Sequence, residues 1–331
     1  MKKCLIFLFA LTLLVTAGVI VATAATQNQT ETVYCERCSK YIPAEEWMEW
    51  TITGGDLLQE GHYYLADTFT AQETTINIPA LKFVCLDLRG NTWTTEGIRP
   101  LIVAGDLSIL DSVGGGLILT TGAHLHDGGF AAVSNAGALN IYGGTIQRIV
   151  RDDITLYHGG LIDIAGGAVN LYGGTLSGGV VKGIKVDGTA KTPRGGNIYM
   201  DGGTLGVYGG TITGGMAIFG TSSSAQGGNV YATTSRDGKT ARIIISAGTV
   251  TDGYSDWDGG NFYFGTAELT LTDSGSIADG HAVRHGGNME MSAESTVVSL
   301  LGGTVTGGVA GGTSDKSSGV CSPSDPQARA V

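Results

Sequence analysis

Between Gly195 and Gly215 the chain reads GGNIYMDGGTLGVYGGTITGG, and looser copies of this stretch fill much of the remaining sequence. The copies align on a glycine pair that opens at positions 128, 159, 195, 227, 259 and 286, at intervals of 27 to 36 residues. Periods of this size belong to stacked-repeat architectures, in which each unit buries its apolar face only against its neighbours. Within each copy lie three short segments. The first is NIYM from Asn197, matched by NVYA at Asn229, NFYF at Asn261 and NMEM at Asn288. The second is LGV from Leu205, matched at Leu139, Val169, Ile243, Leu269 and Val298, and the third is TIT from Thr211, matched at Thr145, Thr175, Thr249, Ser276 and Thr304.

Every segment alternates and none reaches helical length, so each predicts a strand. Ile198, Met200, Leu205, Val207 and Ile212 are the expected inward residues, and Tyr199, Thr211 and Thr213 the outward ones. Glycine pairs between segments permit positive φ and let the chain turn within two or three residues. Three strands and three corners make one coil, and stacked coils make a parallel β solenoid.

The chain here resembles the right-handed parallel β-helix proteins of the pectin-lyase-like group, through its coil length, its asparagine column (Asn197, Asn229, Asn261, Asn288) and its aliphatic core. The resemblance spans about residues 75 to 308 and implies an all-β, single-stranded right-handed β-helix; the hand comes from the family and from the general crossover preference. It brings no catalytic motif with it.

Residues 1 to 24 read as a secretory signal peptide: Lys2 and Lys3, an apolar run from Cys4 to about Val21, and a small-residue site ending at Ala24. The mature protein is then expected outside the cytoplasm, without membrane insertion. The formal net charge is −11, and the leader would remove two positive charges more. An acidic surface disfavours nucleic acid as a partner. Glycine at 55 of 331 residues with only 6 prolines fits neither collagen nor a disordered polymer. The expected domains are a knuckle and capping helix over 25–50, the solenoid over 51–308, and a polar tail over 309–331.

In the knuckle, Cys35 and Cys38 form a CxxC pair, which suits half of a zinc site, a small disulfide or a redox pair. No second CxxC completes a zinc ribbon and no βαβ context supports a thioredoxin-like site. The reading taken for an exported chain is a structural disulfide, with zinc completed by a residue such as His62 as the alternative. Cys85, in the alternating FVCLDL, is expected to be a buried thiol. Pro43 to Trp50 predicts one or two helical turns that place Trp47 and Trp50 on one face as a cap for the solenoid. A CxxC knuckle, a Trp-rich turn, a CLDL strand and glycine-rich coils together look like a group of secreted bacterial β-helix proteins.

Candidate chemistry falls in the inserts at the third corner, such as 147–157, 180–194 and 216–226, and in a polar column just before each glycine pair: Asp127, His158, Arg194, Gln226, Asp258 and His285. Asp152, Asp153 and His158, with Arg194 in the next insert, are the catalytic candidates, since paired carboxylates beside a histidine suit acid-base glycoside hydrolysis or lyase chemistry. The β-helix polygalacturonases use such a set, but their Asn-Thr-Asp and Arg-Ile-Lys segments are missing here. Tyr199, Tyr231 and Tyr263 form an outward column suited to stacking on sugar rings or on one another. Asp258 and Trp257 in SDWDGGN join them as ligand candidates. No cofactor motif is present; calcium is the ion that Asp256 and Asp258, with Asp279 or Asp252, would hold. The third-strand TxT array also resembles ice-binding solenoids.

The function expected is that of a monomeric, non-catalytic, adhesin-like surface protein that contacts glycans or proteins through a solenoid face. The alternative is a polysaccharide lyase or glycoside hydrolase with its site in the third-corner loops, and a remoter one is ice binding.

Overall fold

The computed structural model describes residues 32–51, 58–72, 75–96, 101–121, 129–149, 156–220, 224–311 and 320–321. The expected signal peptide, Asp152 and Asp153, and nearly all of the polar tail lie outside these residues. The described chain is all-β apart from one 3-10 turn at Ala44–Glu46. Among the described residues the strands form an antiparallel two-stranded sheet and four larger sheets of ten, nine, nine and six strands.

Apart from Thr189–Lys191, which pairs antiparallel with Val180–Val186 at the edge of the six-stranded sheet, the large sheets run parallel because each strand pairs with its counterpart one repeat later. Ile198–Asp201 pairs with Val230–Thr233, Gly203–Val207 with Ala241–Ile245, and Thr211–Thr213 with Thr249–Thr251, all in the register that the glycine alignment sets. The structure is therefore a parallel β solenoid. All five expected inward residues of the Gly195–Gly215 repeat are buried, in a core that runs from Trp50 to Val298.

The coil holds more than three strands. Val180–Val186, Met216–Gly220, Tyr254–Ser255, His281–Ala282 and Val309–Ala310 form a fourth parallel sheet where loops were expected. After it, single-residue bridges link His158, Arg194, Gln226, Asp258 and His285 in a ladder, so the polar column is a rung-by-rung feature of the fold. This sheet carries its own small core of Leu156, Val180, Val181, Ala217 and Ala225.

Two sequence features hold the coils in register. Gly195 has φ +65, and a Cβ on Gly196 would overlap the Gly228 carbonyl of the next coil, so the pair supplies both the corner and the close approach. Behind it, the asparagines form a buried ladder. Asn229 Nδ2 donates to Thr251 O (2.7 Å) and Asn261 Oδ1 (2.6 Å), while its Oδ1 accepts from Gly215 N (2.9 Å) and Asn197 Nδ2 (2.7 Å). Every hydrogen-bonding position of that amide is filled.

At the N-terminal end the expected helix is a single 3-10 turn followed by the strand Trp47–Glu49, which joins the edge of the ten-stranded sheet against Gly61–Tyr64. Strand alternation sends Trp47 and Trp50 to different sides. Trp50 packs with Tyr63 and Trp93 in the solenoid core, whereas Trp47 packs outside the sheet with Cys35, Ile42, Cys85 and Leu110.

Candidate metal centre

Thr32–Cys35 and Lys40–Pro43 pair antiparallel, with Cys35 opposite Lys40. The intervening CERC turn closes through Ser39 N to Glu36 O (3.2 Å), which holds Cys38 at the corner. Hairpin geometry thus presents both sulfurs at one end. The other half of the site comes from the solenoid. In Phe83–Asp87, Val84 and Leu86 point into the core, so alternation turns Cys85 to the outer face of the sheet. His62 stands directly across from it in the adjacent strand, in the same register and on the same face. The hairpin lies over this pair.

Sγ of Cys35, Cys38 and Cys85 and a ring nitrogen of His62 all lie within 4.8 Å of one another. Cys35 Sγ is 3.4 Å from Cys85 Sγ, and Cys38 Sγ is 3.3 Å from His62 Nε2. A tetrahedral zinc ion with bond lengths of about 2.3 Å to sulfur and about 2.0 Å to nitrogen sets its ligands ~3.5–3.8 Å apart, close to these separations. Three thiolates and one imidazole are a soft donor set that suits zinc over calcium or magnesium.

The surroundings suit such an ion. Cys35 and Cys85 are fully buried and Cys38 is partly exposed, which leaves one edge for access. The His62 ring is held between Trp47 (5.1 Å) and Phe83 (5.9 Å). Arg37 reaches Cys38 and is anchored on Asp106 (2.8 Å), so a cation offsets the negative charge of a three-thiolate centre. The Cys35–Cys85 hydrogen bond draws the Cys35 thiol well below the usual range and, with burial, pushes Cys85 up, while burial also raises Cys38.

The disulfide expected between Cys35 and Cys38 is not formed. Both are free thiols, and each sulfur meets a residue from the solenoid. Cys85 is buried as expected, but it faces the hairpin. The signal was present in FVCLDL: if Val84 and Leu86 fill the core, Cys85 must point away from it.

The other candidates assemble differently. Register aligns Asp163, Tyr199, Tyr231, Tyr263 and Glu290 in one column, but the rings stack face to face, with centroids 5.3 Å apart for Tyr199–Tyr231 and 5.5 Å for Tyr231–Tyr263. His158 stacks on Tyr199 at 4.1 Å and the Arg194 guanidinium lies 4.9 Å over Tyr231, while Tyr231 and Tyr263 are buried. The faces a sugar would need are therefore occupied by protein, which favours the ladder over a glycan platform. His158 and Arg194 are linked by one bridge of the polar ladder.

Farther along, Asp258 is buried; it accepts from Arg284 Nε (2.8 Å), pairs again with Arg284 Nη2 and lies 3.2 Å from His285 Nδ1. Trp257 sits beneath Arg284 (4.2 Å). Asp256 accepts from Phe219 N and from the Tyr254 hydroxyl (2.8 Å). With their oxygens directed to these partners, Asp256 and Asp258 do not converge on a cation, and among the described residues the cysteine–histidine cluster is the one group that could hold a metal. No family model, curated protein or solved structure matches the chain.

Proposed function

We propose that this protein binds zinc through Cys35, Cys38, His62 and Cys85, and that the ion fastens the N-terminal hairpin over the first coils of an exported, right-handed, pectin-lyase-like β-helix. The convergence of four soft donors from three separated segments carries the reading, since a hairpin with so small a core gains little from packing alone. A closed set of four protein ligands leaves no position for substrate, so the ion is structural. The solenoid then serves as a rigid surface scaffold that meets glycans or proteins through its outer faces, and the self-stacked tyrosines support a scaffold over an enzyme.

The test is the metal content of the full chain purified under reducing conditions, beside Cys38→Ala and His62→Ala. One zinc per chain is expected for the native protein, with at least a tenfold weaker affinity in each variant. A native chain that binds no zinc with all its thiols reduced refutes the reading.

A further inference from the structure

Two sulfurs in direct contact within the cluster are not the CxxC neighbours. Cys35 Sγ lies 3.4 Å from Cys85 Sγ across 50 residues of sequence, both side chains fully buried, while Cys38 is partly exposed and turned toward His62. Cys38 also lies within reach of Cys35, so the three thiols form a chain from the surface inward.

We propose that without metal this cluster is an oxidation site whose product is a Cys35–Cys85 disulfide, with Cys38 as the thiol through which an external disulfide reacts. The Cys38 sulfur attacks a small-molecule disulfide such as oxidised glutathione; a mixed disulfide forms and one glutathione thiol departs. Cys35 then attacks the Cys38 sulfur, forming Cys35–Cys38 and releasing the second glutathione thiol. Finally Cys85 attacks Cys35, the Cys35–Cys85 bond forms, and Cys38 returns to a thiol. Two protein thiols lose two electrons, one external disulfide gains them, and the two thiol protons end on the released glutathiones.

Geometry selects this product. Cys85 is fixed at the middle of an interior strand of the ten-stranded sheet and Cys35 at the end of a paired strand, so little backbone movement separates the observed contact from a bond. The outcome matters for an exported chain, because the crosslink does what the ion would do: it joins the hairpin to the solenoid. It closes a loop of about fifty residues, whereas a CxxC bond closes only a few, so it constrains the unfolded chain far more. Metal and disulfide are then alternative closures of one joint. The protection that metal would give rests on the zinc reading; the choice of sulfur partners does not.

The experiment treats the full chain with chelator and excess oxidised glutathione, blocks the remaining thiols by alkylation, and maps crosslinks by mass spectrometry of unreduced digests. The expected product joins the Cys35 and Cys85 peptides and leaves Cys38 alkylated. In Cys38→Ser the same crosslink forms at least tenfold more slowly, and in denaturant, where the native contact is lost, the pairing scrambles. A native product dominated by Cys35–Cys38, by Cys321 or by glutathione adducts overturns the proposal, as does a Cys38→Ser variant that reacts at the native rate. Prior loading with zinc should slow the reaction at least tenfold; absence of that protection counts against the zinc reading and leaves the crosslink assignment standing.

Discussion

Asn229→Ala removes the centre of the buried amide ladder. Four hydrogen bonds disappear, to Gly215 N, Thr251 O, Asn197 Nδ2 and Asn261 Oδ1, and Asn229 is inaccessible to solvent. At about 1 kcal/mol net for each bond the loss is about 4 kcal/mol, because the four partners remain buried and alanine satisfies none of them. Asn140 provides the internal comparison. It belongs to a second, shorter amide row, bonded to Asp106 (3.0 Å) and Asn170 (2.9 Å), and retains 9% exposure, so water can replace what Asn140→Ala removes. That variant should lose about 1 kcal/mol. Urea unfolding followed by circular dichroism reads both, with the slope compared between variants because solenoids can unfold in parts. If Asn229→Ala costs no more than Asn140→Ala, the ladder is not what holds the coils in register and the hydrogen-bond argument fails.

Three further outcomes follow from the same geometry. Glu290 is buried, its Oε2 has no hydrogen-bond partner, and burial, then the nearby Asp258 carboxylate, pushes its carboxyl up to about 8 from the ordinary 4.5. The folded state then binds the proton more tightly than the unfolded chain, so this group should erode stability as pH rises from about 4.5 to 8, on the order of 1 kcal/mol per pH unit; Glu290→Gln should flatten the decline in thermal midpoint over that window, and parallel curves for the two proteins would contradict this. Ile212→Asp places an unpaired charge in the core at a fully buried site and should cost about 4 kcal/mol or more, seen as a lost or lowered heat transition; an unchanged melt would mean that the side chain does not point inward. Chelation of the reduced protein should first expose the amides of Thr32–Cys35 and of Lys40, Tyr41 and Ile42 to hydrogen exchange while the asparagine ladder stays protected, and equal loss in both regions would argue against a local clamp.

The solenoid was legible because its instructions are local and repeated. The glycine pair fixes each corner, alternation fixes what points inward, and the asparagine column follows from both. The fourth sheet was hidden because Val180–Val186 and Met216–Gly220 share no pattern with the shorter Tyr254–Ser255 and His281–Ala282, and their pairing is enforced by the coils on either side. Period alone could align Tyr199, Tyr231 and Tyr263 but not say whether their faces meet ligand or one another; that depends on side-chain rotation. The metal centre was half visible. CERC announced two sulfurs, while His62 and Cys85 meet only because adjacent strands place them side by side, and between the knuckle and Thr92 a single glycine pair, Gly54-Gly55, gives too little repeat to overlay on the later coils. Trp47 shows the opposite failure, where a local helix signal at Pro43-Ala-Glu-Glu yields to pairing with the sheet edge after one turn.

X-ray absorption at the zinc edge of the purified, reduced full chain tests the central claim most directly. The account predicts a four-coordinate ion with three sulfur neighbours at about 2.3 Å and one nitrogen at about 2.0 Å, the nitrogen lost in His62→Ala and one sulfur lost in Cys85→Ser. An oxygen- and nitrogen-only shell, or a spectrum that Cys85→Ser leaves unchanged, would contradict it.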